Sequence, residues 1–238
     1  MLKYILALII LLSVLFVYCH VAKLTEVNNH LDIIQVNDPD PEMIIELLDD
    51  HHPIIMQREI HFWKSINKLI GKPLTEINTI ISSSTSTSNT TPPITPPMIT
   101  ESIKNNLDPF NLPLSFDWNI DIRNVVLDDS AGVFFISQNN FMQCIGCITG
   151  EFRIILATND QRSKVEPFSN YVSSINATEI LDKDPMEMNF IEVIVREGNI
   201  IYIPWGYLYF IYKPTTCPEC VIVDCINKSA LNYFSGIL

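Results

Sequence analysis

Two pairs of cysteines have the spacing of metal-binding knuckles. They are Cys144-Ile145-Gly146-Cys147 and Cys217-Pro218-Glu219-Cys220. Two C-x-x-C pairs can supply four thiolates in a tetrahedron, the usual geometry of a structural zinc site. The first pair lies in a run that predicts a β-strand, where residues three apart point to opposite faces unless Gly146 introduces a kink. The spacing leaves open structural zinc, redox chemistry, and buried or disulfide-bonded cysteines.

The histidines and the paired carboxylates offer weaker sites. All five histidines lie in the first 61 residues, at positions 20, 30, 51, 52 and 61. Adjacent side chains such as His51 and His52 point in different directions and rarely share a metal, so we interpret the pair as a helix terminator. The D-x-D steps at 38–40 and 182–184 are interpreted as caps and loop starts, because the strand-helix alternation of a nucleotide-binding fold is missing.

The elements that must position these residues form an α-containing front piece and a β-rich back piece. In front, the sequence predicts a helix from about Asp40, a buried strand over 53–56 and a second helix that ends at Gly71. A low-complexity Ser/Thr/Pro insertion, 82–98, follows. The back piece contains short strand patterns at 132–136, 141–149, 151–157, 190–196, 199–204, 208–213 and 220–226. Many short, closely spaced strands predict a sandwich or a barrel.

The order of these features resembles the cupin-like branch of the Jumonji-C family, which contains asparaginyl and lysyl hydroxylases. The resemblance covers roughly residues 38–238, and its best single motif is GNIIYIP at 198–204. The motifs that carry it are MIIELLDDHHPIIM at 43–56, HFWKSI at 61–66, SAGVFFISQNN at 130–140, CITGEFRIIL at 147–156 and GNIIYIPWGYLY at 198–209. It implies a cupin-like double-stranded β-helix, a jelly-roll barrel whose core is 99–238 and whose connector and helical front part are 24–81.

The resemblance also implies where iron would bind. Enzymes of this family hold iron with two histidines and one carboxylate. The corresponding metal-site positions are Ser137, Asn139 and Tyr209. A hydroxyl, a neutral amide and a phenol are poor substitutes for these ligands. Because the β-rich part contains no histidine, its strands cannot supply a two-histidine site in any register.

The co-substrate positions implied by the resemblance are also altered. They are Phe134 and Phe152, with Arg153 beside the latter. The family places at Phe152 a lysine that pairs with the carboxylate of 2-oxoglutarate. A one-residue shift could bring Arg153 into that role, but strand side chains alternate between faces, so the shift would require a β-bulge.

The N-terminus is the most apolar part of the chain. From Tyr4 to Val21 no residue is charged, and about 20 apolar residues cross a hydrocarbon core. The sequence therefore predicts a membrane anchor over 1–23 that contacts the membrane through residues 4–21. The bulky residues at its end favour an uncleaved anchor over a signal peptide. The positive-inside rule places the N-terminus in the cytosol and the main domain in a lumenal or extracellular space.

The charge and the sequons limit the partners. A net charge of −12 argues against nucleic acid, since phosphate binding needs clustered Lys and Arg. Sequons at Asn89, Asn176 and Asn227 suggest a glycoprotein, although a chain rich in Asn, Ser and Thr also produces sequons by chance.

Together these observations predict an α+β, mainly β protein with a cupin-like barrel and N-terminal helical elements, preceded by one transmembrane helix. The predicted function is a non-catalytic binding or structural module with no cofactor and an unknown protein partner. One alternative is an Fe(II)/2-oxoglutarate-dependent protein hydroxylase with a displaced ligand set, drawn from His51, His52, Asp128, Asp129 or Asp224. The other is an interaction domain stabilised by zinc at Cys144, Cys147, Cys217 and Cys220.

Overall fold

The structure is a computed structural model. It describes residues 2–25, 30–37, 42–43, 46–47, 50–57, 63, 66–83, 101, 103–104, 107, 115–125, 136–137, 142–161 and 189–229. Two α-helices have described bounds, α1 (Leu2–Thr25) and α2 (Leu74–Ser83), as do ten β-strands; residues 42–43, 46–47, 101, 103–104 and 107 are also helical. The strands are β1 (Ile34–Asn37), β2 (Ile54–Gln57), β3 (Ser115–Asn124), β4 (Ile136–Ser137), β5 (Met142–Thr149), β6 (Glu151–Ala157), β7 (Ile191–Arg196), β8 (Ile200–Pro204), β9 (Leu208–Tyr212) and β10 (Val221–Ser229).

The strands form two sheets. The larger sheet has six strands in the order β1-β2-β8-β5-β10-β3, and the smaller has four in the order β4-β9-β6-β7. β1 and β2 are parallel, and the other pairings within the described strands are antiparallel. The chain moves between the sheets repeatedly, so neighbours in a sheet are distant in sequence.

Along the strands of the larger sheet, successive apolar side chains point to opposite faces, so both faces of the sheet are buried. One cluster lies between the two sheets and includes Ile145 of β5, Ile222 of β10, Phe152 of β6 and Tyr209 of β9. A second cluster covers the opposite face of the larger sheet, where Trp63 and other front residues pack against the strands. The side chains of the candidate site lie beside this inter-sheet cluster.

The predicted fold class requires a correction. The structure is mainly β, but a cupin-like double-stranded β-helix is not shown: in the described part of the chain both sheets are open, with β1 and β3 at the edges of one and β4 and β7 at the edges of the other. The front piece also extends the larger sheet, because Ile54 of β2 pairs with Tyr202 of β8. Strand pairing therefore joins the front and back pieces.

The predicted transmembrane helix is also wrong. Residues Leu2–Thr25 form α1, and the apolar side chains described there are exposed, from Tyr4 to Tyr18. A membrane crossing needs about 20 apolar residues. Among the residues that the structure describes, no helix has both the length and the apolar character for such a crossing.

Several element boundaries differ from the sequence-based expectation. β6 has the predicted bounds, and β5, β7, β8 and β9 differ from prediction by one residue at one end. The sequence patterns predict neither β3 nor α2. The second predicted helix is a 3-10 turn at Asn67–Leu69, which still buries Leu69 and ends before Gly71. The low-complexity insertion lies outside the described residues, apart from the last residues of α2.

Candidate functional site

A hydrogen-bonded network of polar side chains lies on the inter-sheet face of the larger sheet. Asp224 follows Ile222 by two residues on β10, and Gln143 precedes Ile145 by two on β5, so both face the smaller sheet. Gln143 donates through Nε2 to Oδ1 of Asp224 at 2.7 Å. Arg123 of β3 donates through Nη2 to Oδ2 of the same carboxylate at 3.0 Å. Both oxygens of Asp224 are therefore engaged.

The network reaches from the interior to the surface. The side chain of Asp224 is 8% exposed, whereas that of Arg123 is 49% exposed. Gln143 is buried at 1% exposure. A buried carboxylate is stable when it is paired and when its oxygens accept hydrogen bonds, and these two donors meet both conditions.

Tyr209 of β9 connects this network to the smaller sheet. It is buried in the inter-sheet cluster, where Asp224 and Gln143 both influence the pKa of its hydroxyl. Burial, followed by the negative charge of Asp224, raises the pKa of Tyr209 to about 12. A phenol with this pKa stays protonated near neutral pH, so it can donate a hydrogen bond but is a poor general base there.

The alkaline pH dependence of stability should report this environment. The pKa of Tyr209 is raised from 10.0 to about 12 by folding, so its contribution is fully present below pH 10 and is lost as the pH rises toward 12. A shift of this size corresponds to at most about 2–3 kcal/mol. We expect Tyr209→Phe to remove this part of the decline, as measured by urea unfolding between pH 8 and pH 11.5. An equally steep decline in the variant would contradict the assignment.

The two co-substrate positions that the structure describes lie on opposite faces of β6. Phe152 is fully buried in the inter-sheet cluster together with Tyr209. Arg153 lies on the outer face of the smaller sheet, where its Nη1 is 3.0 Å from Oε1 of Glu192. Tyr212 of β9 also bonds to Glu192. Arg153 is therefore outside the interior, and no bulge in β6 shifts its register against β7 or β9.

The remaining predicted ligand positions are only partly described. Ser137 lies in β4, and its backbone pairs with Leu208, next to Tyr209. Asn139, Phe134, Asp128 and Asp129 lie outside the described residues. Of the displaced ligand candidates, Asp224 is close to Tyr209 but is already bonded to two donors.

The histidine pair lies in the turn before β2. His51 has a positive φ of 55°, and a backbone bond of 3.1 Å from Asp50 N to Glu46 O closes the preceding helical turn. This placement agrees with a helix terminator. The described chain contains no group of three or more His, Cys, Asp or Glu side chains arranged to hold a metal ion.

Three of the four predicted zinc cysteines lie in the inter-sheet cluster, and the fourth lies on the opposite face of the larger sheet. Cys147, Cys217 and Cys220 belong to the inter-sheet cluster. Cys144 faces the other side of β5, where its Cα is paired in register with that of Cys225 on β10. Because Cys144 and Cys147 are three positions apart on a strand, their side chains point to opposite faces and the two thiols cannot join one tetrahedron. The residues present therefore do not fit a four-cysteine zinc site.

One glycosylation sequon is inaccessible in the folded chain. Asn227 lies in β10 and is 0% exposed, so no oligosaccharide transferase can reach its amide in the native state. The sequons at Asn89 and Asn176 lie outside the described residues.

Gln143 and Arg123 are the members of the network that the sequence patterns do not indicate. Gln143 lies one residue before Cys144 in a strand whose other inward positions are apolar. A polar residue at a buried strand position can indicate a functional or hydrogen-bonded site. Arg123 lies in β3, whose alternation of Phe116, Trp118, Ile120 and Ile122 is obscured by intervening Asp and Asn residues. Recognition of β3 would have placed Arg123 on the face of that strand opposite to Trp118, Ile120 and Ile122.

Comparison with known proteins adds no further assignment: no family model matches the chain, and no curated protein matches its sequence.

Proposed function

We propose that this chain is a non-catalytic binding or structural module, in which a side-chain network replaces the metal centre of the Jumonji-C enzymes that its sequence resembles. The observation that carries the proposal is the engagement of Asp224, whose two carboxylate oxygens accept hydrogen bonds from Gln143 and Arg123. A metal bound at Asp224 would compete with these two hydrogen bonds for the carboxylate oxygens.

The residues around Tyr209 also support this proposal. At the position of the second histidine, Tyr209 contributes a buried hydroxyl whose raised pKa keeps it neutral near pH 7. At the position of the keto-acid lysine, Phe152 fills the space with an apolar ring at 0% exposure. An anionic co-substrate would have no counter-charge at Phe152, since Arg153 bonds to Glu192 on the opposite face.

In this proposal the interior has a mechanical role and the partner, a protein, contacts the outside. The network links β3, β10 and β5 of the larger sheet through three side chains, and Tyr209 of β9 packs in the same inter-sheet cluster. Buried networks whose members are all satisfied add rigidity and define the relative placement of packed elements. A module with a rigid interior presents its surface at low conformational cost on binding.

Addition of metal and keto acid should leave the protein unchanged. We expect the full-length protein to show a change in Tm below about 1 °C with Mn(II) and 2-oxoglutarate, because only a ligand of the native state stabilises it. With Fe(II) and 2-oxoglutarate under air, no succinate should form. Elemental analysis of the purified protein gives an independent reading of bound iron. Stoichiometric iron, or succinate formation that requires the protein, would show instead a hydroxylase with a displaced ligand set.

A further inference from the structure

Strand β7 lies at an edge of the smaller sheet. Among the described strands of that sheet it pairs only with β6, in a register without shifts. Glu197 N donates to the carbonyl of Gly150 at 3.0 Å, which extends this register by one hydrogen-bonded pair. Because hydrogen-bonded and non-hydrogen-bonded pairs alternate along an antiparallel ladder, the backbone groups of Glu192, Ile194 and Arg196 point away from β6. They face the open edge of the sheet.

Apolar side chains along this edge are incompletely covered. Ile194 is 39% exposed on the outer face of the sheet, and Phe190, just before β7, is 43% exposed. On the inner face, Ile191 and Val193 pack against the inter-sheet cluster and are only partly buried. An edge strand that exposes apolar side chains and unpaired backbone groups is a template for the addition of another strand.

The two charged side chains of β7 have opposite signs. Glu192 and Arg196 lie on the outer face, with Ile194 midway between them. Arg196 approaches Glu151 only to 4.0 Å, and its side chain is 74% exposed, so it can reach across the edge. The pattern E-x-I-x-R becomes R-x-I-x-E when the strand direction is reversed. An antiparallel strand of the same sequence is therefore complementary to β7 in charge.

We propose that β7 pairs with β7 of a second copy of this chain, antiparallel and about a two-fold axis at Ile194, so that the two smaller sheets form one continuous sheet. The two Ile194 residues exchange backbone hydrogen bonds across the axis. Arg196 N–H of each copy donates to the carbonyl of Glu192 in the other. The carbonyl of Arg196 already accepts a bond of 3.0 Å from Asn199 N. The contact is self-complementary, as a two-fold interface requires.

The side chains favour this register over the neighbouring ones. Centred on Ile194, the pairing places Glu192 opposite Arg196 at both ends of the contact. Centred on Glu192 or on Arg196, it would place each of these charges opposite its own counterpart, and like charges directly opposite are destabilising. Centred on Val193 or Val195, it would place a charged side chain opposite Ile194. Opposite charges therefore face each other in the first of these registers alone.

The other described edges fit such pairing less well. β4 has two residues and β1 has four. β3 is longer, but Asp117 and Asp121 lie on the same face, with Asn119 midway between them. Antiparallel self-pairing about Asn119 would set Asp117 against Asp121 at both ends. The charge pattern thus points to β7 as the self-pairing edge.

This interface does not depend on the proposed replacement of the metal centre. β7 contacts a second copy through its edge, whereas the metal-site positions concern the interior. A chain that bound iron could pair in the same way, so the metal-binding test and the association test fail separately.

The test measures the mass of the full-length protein by sedimentation velocity over a range of concentrations. The unmodified chain should form a dimer that dissociates on dilution. Glu192→Arg alone and Arg196→Glu alone each set like charges opposite one another at both ends, so each should raise the dimer Kd roughly tenfold or more. An equimolar mixture of the two variants should associate again, because the mixed pair has opposite charges at both ends.

Two further variants serve as controls. Glu101→Arg makes the same change in net charge at an exposed residue away from β7 and should leave the Kd unchanged. Ile194→Pro removes an outward N–H without touching the ladder to β6 and should give a monomer. If it does not fold, the mixture of charge variants decides the question. The proposal is overturned by an unmodified chain that stays monomeric, by a dimer that resists both charge reversals, or by a mixture that fails to associate.

Discussion

Replacement of Gly150 by alanine is expected to lower the free energy of unfolding by about 3 kcal/mol. Gly150 has a φ of +77°, a left-handed conformation that costs an alanine roughly 1–2 kcal/mol. The added methyl group would also lie 2.3 Å from the carbonyl oxygen of Glu219, closer than unbonded atoms approach. The loop between β9 and β10, which carries Cys217 and Glu219, would have to move away from the β5–β6 turn, at a further cost of about 1–3 kcal/mol.

Gly71 provides a matched control for this prediction. Its φ of +74° is nearly the same, but a Cβ there would first meet Oε1 of Glu197 at 3.6 Å, an ordinary contact. Gly71→Ala should therefore cost only the conformational part, roughly 1–2 kcal/mol. Urea unfolding of both variants followed by tryptophan fluorescence measures the difference. Equal losses would show that the close approach of the loop to Gly150 does not contribute.

Replacement of Asp224 by alanine is expected to cost about 2–3 kcal/mol. The variant leaves Nε2 of Gln143 without its partner at a position that is 1% exposed. An unsatisfied buried donor costs about 1–3 kcal/mol. The loss of the Arg123 pairing adds less than a fully buried ion pair would, since the guanidinium is half exposed and can be hydrated.

Glu192 is the control for Asp224. It forms an ion pair with Arg153 at the same N–O distance of 3.0 Å, but its side chain is 33% exposed rather than 8%. Glu192→Ala should therefore change the free energy of unfolding by less than about 1 kcal/mol. Chemical denaturation at pH 7 compares the two variants directly. A loss for Glu192→Ala as large as that for Asp224→Ala would mean that burial of the network is not the source of its effect.

Combining Asp224→Ala with Gln143→Leu tests whether the loss of stability comes from the Gln143 amide that is left without its hydrogen-bond partner. If it does, the double variant should regain part of the stability lost on removing Asp224, because no buried donor then lacks a partner. Additive losses would place the effect on Arg123 instead. Either outcome concerns the interior network alone.

Local patterns in the chain predicted much of the β structure. The run Glu151–Ala157 and the neighbouring runs around β5, β8 and β9 are rich in β-branched and aromatic residues and are bounded by Gly or Pro, which is sufficient to identify strands. The sequence patterns did not identify β3, because Asp and Asn occupy its alternate positions. They did not identify α2, because Ser and Thr obscure its end. The transmembrane prediction was based on the uncharged run 4–21, its length and its flanking residues, and no helix among the described residues has the length and apolar character for a crossing.

The composition alone settles one chemical point: the back part of the chain has no histidine, so no strand there can supply an imidazole ligand. Strand periodicity also predicts that Cys144 and Cys147 face opposite ways, because alternation is a local property of the backbone. Only the tertiary structure brings together the side chains of Asp224, Gln143 and Arg123. It also determines the close approach of Gly150 to the loop between β9 and β10. Both are set by register between strands distant in sequence, and a shift of one residue in that register would turn every side chain to the other face.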